Sequence, residues 1–171
     1  MSYAAAQIDR ILANLVRFGR VVAVDYSQAV STVDFDGELV EGIEWLKQRA
    51  GDDRSWSAPS KDEYVLVLSA SGDLSQGVIL GALEQTKFPN VGTDANPVTV
   101  YSDGTTIQYD KNSHVLNIQM GSGGKVVISG NVEVTGNITA TGDVKAGSVS
   151  LKNHKHGGIY VGGSLTQVPQ Q

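Results

Sequence analysis

Apolar residues recur at helical spacing near the N-terminus and at strand spacing through most of the remaining chain. Four of them fall at i, i+3, i+4 and i+7, which predicts an amphipathic helix over residues 1–17: Ile8, Ile11, Leu12 and Leu15. Five strand-like runs follow, at residues 20–26, 29–36, 38–46, 63–69 and 76–83. Five short strands in roughly 65 residues predict a small closed barrel of the OB-fold type over residues 18–87.

Two of these runs, residues 65–68 and 78–80, are apolar without alternation. Such runs are typical of strands that are buried on both faces. Barrels of this type often bind nucleic acid, but the basic and aromatic face that such binding needs is missing here. The favoured interpretation is therefore a scaffold barrel without a ligand.

The second half of the chain repeats every six residues, from Lys125 to Ser148. Each repeat reads polar, apolar, any residue, apolar, Ser or Thr, and Gly, with one exchange in the last copy. The two apolar positions are held by Val126, Val132, Ile138 and Val144, and by Ile128, Val134, Ala140 and Ala146. Alternation inside a fixed period predicts short strands that are separated by tight turns. Three less regular strands precede them, at residues 98–100, 106–109 and 115–118.

Such a segment has too little apolar surface to fold alone. Burial of the two apolar side chains of each repeat cannot offset the conformational entropy that is lost when the repeat becomes ordered. Three chains wound about one axis would bring these positions together and would also hide the strand edges. The change to Ala140 and Ala146 predicts an interior that tapers. The alternative is an ordinary antiparallel domain with coincidental repeats. Residues 88–97, rich in turn formers, are predicted to be a linker.

Composition separates the two halves further. Residues 1–96 carry a net charge of −6, residues 97–171 a net charge of +1, and the whole chain −5. No basic stripe exists to neutralise phosphates, so nucleic acid is not an expected partner. The chain has no cysteine, and no segment reaches the roughly 20 apolar residues of a membrane span. No signal-peptide pattern opens the chain, and we expect it to be soluble when made.

Two of the three histidines form the sequence His154-Lys155-His156. Residues i and i+2 of a strand point to the same face, so threefold symmetry would bring six imidazoles to one point on the axis. Imidazole suits iron, nickel, copper and zinc, but zinc prefers four ligands. Six donors therefore favour iron(II) or another octahedral ion, one per trimer, in a structural site without an open position.

These motifs resemble a known family, the baseplate assembly protein V of contractile-tailed bacteriophages and contractile bacteriocins. The resemblance is carried by residues 54–59, 65–68, 72–83, 143–146 and, most specifically, 149–158. It implies a mainly β fold: an N-terminal helix and OB-fold barrel, then a trimeric, intertwined triple-stranded β-helix over residues 98–153. A tapered apex and tail at residues 154–171 would hold iron through His154 and His156.

The resemblance also implies a function and a setting. The homotrimer would be the spike of a virion tail baseplate, assembled in the host cytoplasm, with its barrel docked on the tail hub. Sheath contraction would drive it mechanically through the host outer membrane. Calcium or chloride ions inside the β-helix are implied by the family alone.

Other functions fit the residues less well. Residues 121–126, Gly-Ser-Gly-Gly-Lys-Val, depart from a phosphate-binding loop in spacing and place Val126 where Ser or Thr would hold magnesium, so they predict a turn. His114 stands alone and is expected to be a surface or packing residue. No arrangement suggests nucleophilic catalysis, and we predict that the chain is not an enzyme. The alternative is a trimeric receptor- or carbohydrate-binding tail fibre, which would need a larger C-terminal head.

Overall fold

One helix and ten strands form the part of the chain that the computed structural model describes, residues 3–155. Helix α1 spans Tyr3–Leu15, and the strands are β1 (Val16–Asp25), β2 (Val30–Phe35), β3 (Glu38–Trp45), β4 (Tyr64–Ser69), β5 (Gly77–Leu83), β6 (Val98–Val100), β7 (Thr106–Asp110), β8 (Val115–Gln119), β9 (Lys145–Ala146) and β10 (Val149–Ser150). Two short 3-10 turns, Ala70–Gly72 and Leu74–Gln76, connect β4 to β5. The chain divides into two compact units, Met1–Gly124 and Lys125–Gln171.

The first five strands close into a barrel in the order β1-β2-β3-β5-β4. All neighbours are antiparallel except β3 and β5, which meet in parallel over only two residue pairs. Alternate residues point inward and build the core from Val21, Val33, Phe35, Ile43, Trp45, Val65, Val67, Leu74 and Ile79. The predicted N-terminal helix and five-stranded barrel are therefore confirmed, although β1 begins at Val16, directly after the helix.

The apolar strands β4 and β5 differ from the sequence prediction. Val65, Val67 and Ile79 are buried, as expected for the inner face of a barrel. Leu68 and Leu80, however, are 41% and 42% exposed. The prediction that both faces are buried is wrong for the single chain, because a closed barrel supplies cover only on its inside.

Gly19 allows close packing inside the barrel wall. A Cβ atom at this position would lie 2.5 Å from Cγ1 of Val33 and 2.9 Å from Cδ1 of Phe35, which are both fully buried. The exchange Gly19→Ala should therefore destabilise the barrel by about 1–3 kcal/mol through overpacking. Denaturant unfolding monitored by the fluorescence of Trp45 and Trp56 measures this change.

The matched control for Gly19→Ala is Gly81→Ala. Gly81 also lies in a barrel strand, but nothing stands within 4 Å of a Cβ placed there. Its exchange should leave the unfolding midpoint nearly unchanged. Equal midpoints for both variants would contradict the packing explanation.

A polar cluster fastens the segment after β5 to the barrel. Arg20 Nη1 donates to the carbonyl oxygen of Asp62 at 2.9 Å and to Oε1 of Gln85 at 2.7 Å. Gln85 Nε2 donates to the same Asp62 carbonyl at 2.6 Å, and Lys87 forms an ion pair with the Asp62 carboxylate. This hydrogen bond from Lys87 holds the pKa of Asp62 below its ordinary value of 3.8.

The Asp62 ion pair predicts a pH-dependent attachment of residues 85–88. A lowered pKa in the folded state means that the stabilisation is fully present above about pH 4 and is lost as the pH falls through the lowered pKa. Asp62→Asn should therefore increase amide hydrogen exchange at residues 85–88 near neutral pH, and this difference should shrink in acid. A variant that matches the original chain at neutral pH would show that the ion pair does not fasten the segment.

The later strands form two smaller sheets. Strands β6, β7 and β8 make an antiparallel three-stranded sheet, and β9 pairs with β10 in a short hairpin. Residues 125–144 contain no strand in the single chain, although the repeat pattern predicts strands there. The physical reason is that a strand needs a hydrogen-bonded neighbour, and repeats this short cannot supply one from their own chain. The predicted β-helix stays a prediction at this point.

Candidate metal site and assembly surfaces

The six-residue repeats expose their apolar side chains in the single chain. At the first apolar position the exposed fraction runs from 46% at Val144 to 75% at Ile138. At the second it is 63% for Ile128 and 47% for Val134. So many exposed apolar side chains in one segment are typical of an interaction surface.

The β6–β8 sheet has the same property. Every residue of β8 is exposed, including Leu116 and Ile118 on one face and Val115 on the other. Ile107 and Tyr109 of β7 are also exposed, each at 38%. A sheet of three short strands is normally stabilised by packing one face against something, so this surface also calls for a partner.

The loop between β6 and β7 is held by an aspartate. Asp103 accepts hydrogen bonds from the backbone N–H of Thr105 at 2.9 Å and from its hydroxyl at 3.1 Å. Thr105 Oγ1 in turn accepts from the N–H of Gly121 at 3.0 Å, which joins the end of β8 to this loop. The bonds from Thr105 lower the pKa of Asp103. The aspartate therefore has a structural role in the sheet.

A turn after β10 positions His154. The N–H of Leu151 donates to the carbonyl of Val144 at 2.8 Å, and the N–H of Asn153 donates to Ser150 Oγ at 2.9 Å. The N–H of His154 closes the turn on the carbonyl of Ser150 at 3.0 Å. The hairpin and the turn together place the imidazole a few residues beyond the last repeat.

The imidazole of His154 is oriented by backbone carbonyls. Its Nδ1 lies 3.0 Å from the carbonyl oxygen of Ser150 and 3.1 Å from that of Leu151. A carbonyl oxygen can only accept, so Nδ1 carries the proton in this contact and Nε2 of the neutral ring carries the lone pair. Metal-binding histidines in proteins commonly donate one ring N–H to a carbonyl while the other nitrogen binds the metal. His154 fits a metal ligand in this respect.

The second predicted ligand, His156, lies outside the described residues, as do Gly157, Gly158 and the tail to Gln171. Among residues 3–155, no group of three or more His, Cys, Asp or Glu side chains comes together within one chain. The structure therefore shows the surroundings of one predicted ligand and does not test the complete set.

The other two motifs from the sequence lie in turns. His114 has φ of +59° at the β7–β8 connection, with Nδ1 3.4 Å from the hydroxyl of Tyr109, and it is exposed. In the loop that resembled a phosphate site, the N–H of Gly124 donates to the carbonyl of Gly121 at 2.8 Å. Both positions have simple roles in chain reversal.

A cleft near the parallel closure of the barrel had no counterpart in the sequence interpretation. It has a volume of about 390 Å³ and is lined in part by Trp45, Trp56 and Lys47. The two indole rings meet edge to face at 5.2 Å, and Lys47 Nζ lies 4.9 Å from the Trp45 ring. Trp45 ends β3 and Trp56 lies within the β3–β4 loop, eleven residues further along the chain, so no pattern in the sequence pairs them.

Comparisons with known proteins agree with this architecture. Residues 17–83, which are nearly the whole barrel, match the family described as the Type VI secretion system/phage-baseplate injector OB domain. Residues 148–170, which include both predicted histidine ligands, match the GpV apex motif. The barrel is thus an OB domain of the injector class, and the region after β9 carries the apex motif.

One curated relative is the spike protein of Escherichia phage P2. It is 30% identical over 126 residues, which cover 73% of this chain and 60% of the relative. The chain therefore spans about three fifths of the length of that relative. These matches support a structural role for the matched regions. Among the described residues, no helix has the length and apolar character needed to cross a membrane.

Proposed function

We propose that the chain is the spike at the tip of a contractile injection apparatus, which punctures the host outer membrane mechanically when the sheath contracts. Three copies would form the spike, and their barrels would dock on the tail hub of the virion baseplate after assembly in the host cytoplasm. The injector class of the barrel and the spike relative support this proposal.

The single observation that carries the proposal is the exposed apolar surface of residues 125–144. Neither the strands nor the core that the repeats predict forms within one chain. Three chains, each giving one strand per turn of a shared β-helix, supply both the missing strand neighbours and the missing cover. A shaft with this construction has no free strand edge and suits a part that must bear load.

This proposal divides the chain into five parts. Residues 1–17 are the N-terminal helix, 18–87 the OB barrel, 88–97 the linker, 98–153 the triple-stranded β-helix, and 154–171 the apex and tail. The proposal includes calcium or chloride ions inside the closed shaft, as the family resemblance implies.

At the apex, His154 and His156 of three copies would hold one iron(II) ion through six imidazole nitrogens. The orientation of His154, with Nδ1 donating to the carbonyls of Ser150 and Leu151, supports this assignment. The ion would supply a crosslink between the three chain ends, and it would have no catalytic role because six protein donors leave no open position.

The native mass and the metal content of the purified full-length protein test the proposal together. We expect three times the chain mass and roughly 0.33 equivalents of metal per chain, with iron as the main element, because six imidazoles from three chains share one ion. A monomer would overturn the proposed spike. One metal ion per chain would be compatible with a trimer but would contradict a site that three chains share.

A further inference from the structure

An apolar surface runs from α1 onto the barrel and is uncovered in the single chain. It consists of Ile8, Leu12, Leu15, Val16, Phe18 and Leu68, and is called the apolar face below. Each of these side chains keeps between 37% and 63% of its surface exposed. Single exposed apolar residues are ordinary, but a contiguous group marks an interaction surface.

The six residues are neighbours in the fold. Leu15 is followed directly by Val16, and Val16 pairs with Leu68 across β1 and β4. Phe18 lies on the same side of β1, two residues further on, and stacks on Tyr64 with ring centroids 5.7 Å apart. Ile8 and Leu12 precede Leu15 at helical spacing on α1, which places all three on one side of the helix that leads into Val16.

The rotation of α1 about its axis is set by its contact with the turn Ala70–Gly72. A Cβ atom at Gly72 would lie 2.6 Å from the Cα of Ile11, so the helix backbone rests directly on this glycine. Ile11 is half-buried, whereas Ile8, Leu12 and Leu15 keep 56%, 63% and 37% of their surface exposed. The barrel of the same chain therefore leaves much of the apolar surface of α1 uncovered.

The geometry points to a second copy of this chain as the occupant of the apolar face, so that the faces of neighbouring protomers pack on one another within the trimer. This inference rests on the proposed trimer. Residues 85–88 are fastened to the barrel, so the remaining linker, residues 89–97, reaches only about 30 Å at full extension, since a residue spans at most about 3.5 Å. Three barrels tethered to one shaft therefore meet at an effective concentration on the order of millimolar, an advantage that a separate partner lacks.

The negative charge of the barrels restricts which of their surfaces can meet. Residues 1–96 carry a net charge of −6, so barrels brought together at random would repel one another. The apolar face contains no charged side chain among its six residues. Contact through this face leaves the carboxylates outside, where solvent and salt screen them.

Cysteine crosslinking tests the inference, because the natural chain contains no cysteine and a single introduced thiol reports only on its own position. Leu12→Cys places a thiol in the apolar face. Tyr26→Cys is the control, because Tyr26 is exposed to nearly the same degree, 64% against 63%, but lies beyond the far end of the ten-residue strand β1. Full-length variants at low concentration are treated with an oxidant or with a short bis-maleimide and separated on non-reducing gels.

We expect Leu12→Cys to give crosslinked pairs that contain up to about two thirds of the chains, because a trimer leaves one thiol over. Phe18→Cys should behave in the same way, and Tyr26→Cys should stay uncrosslinked. If the native mass is that of a trimer but Leu12→Cys and Phe18→Cys crosslink no more than Tyr26→Cys, the inference is wrong and the trimer stands. If the native mass is that of one chain, the proposed function fails and the inference fails with it.

Discussion

The exchange Ile128→Asp should prevent the full-length protein from forming a trimer. Ile128 occupies the second apolar position of its repeat, on the side that the even-numbered repeat residues share. In a three-chain shaft these residues meet at the axis, where three carboxylates would lose water and face one another without a partner. Burial of an unpaired charge costs several kcal/mol for each ion, more than one layer of the shaft offers in return. Sedimentation should therefore show monomers or aggregates in place of trimers.

The neighbouring exchange Val127→Asp is a matched control. Val127 and Ile128 are both well exposed in the single chain, at 73% and 63%. If the chain folded alone, the two exchanges should therefore have similar effects. In the proposed shaft they point to opposite sides of the strand, and Val127 faces solvent. Val127→Asp should stay trimeric. If the two variants behave alike, the alternation of the repeats does not define an interior, and an antiparallel domain with coincidental repeats becomes the better interpretation.

Removal of both apex histidines should abolish metal binding and weaken the tip. His154→Ala combined with His156→Ala should lower the metal content from roughly 0.33 equivalents per chain to background, because no other imidazole lies in this motif. Metal binding requires neutral imidazoles, so the metal content of the unmodified protein should also fall on acidification. Lys155→Ala, between the two ligands, is the control and should keep the metal.

The same double variant separates penetration from adsorption. In the proposed shaft the interior narrows to alanine at Ala140 and Ala146, so burial alone would hold the chain ends weakly beyond them. Without the metal the ends should fray, with faster hydrogen exchange of amides near His154, and particles should adsorb normally but penetrate poorly. If the variant particles instead fail to adsorb, the tip is a receptor-binding element.

The barrel could be predicted from the sequence because its signals are local. Alternating apolar residues, turn pairs such as Asp36-Gly37 and runs such as residues 65–68 specify strands and their ends without reference to distant contacts. The order β1-β2-β3-β5-β4 and the two-residue parallel closure depend on long-range pairing, which the pattern does not encode. The start of β1 directly after Leu15 could not be predicted either, because the long-range pairing of β1 with β4 extends the strand to Val16.

For the candidate metal site, the sequence alone indicated the two histidines. It also indicated that histidines from other copies of the chain are needed to complete the set of ligands. The carbonyl contacts that orient His154 could not be predicted, because they depend on the turn made by residues 150–154. The contact between Trp45 and Trp56 could not be predicted either, because the path of the β3–β4 loop brings the two rings together.

By itself, the sequence determined the helix, the five barrel strands and the six-residue repeat, because each follows from the local periodicity of apolar residues. It also determined that the repeats carry too few apolar side chains to form a core within one chain. Only the tertiary structure decided which apolar side chains are covered within one chain. Val65 and Val67 fill the barrel, while Leu68 and the residues of the repeats stay exposed. Burial depends on which surfaces meet in space, and a strand that is apolar on both faces does not reveal whether its second face is covered by the same chain or by another.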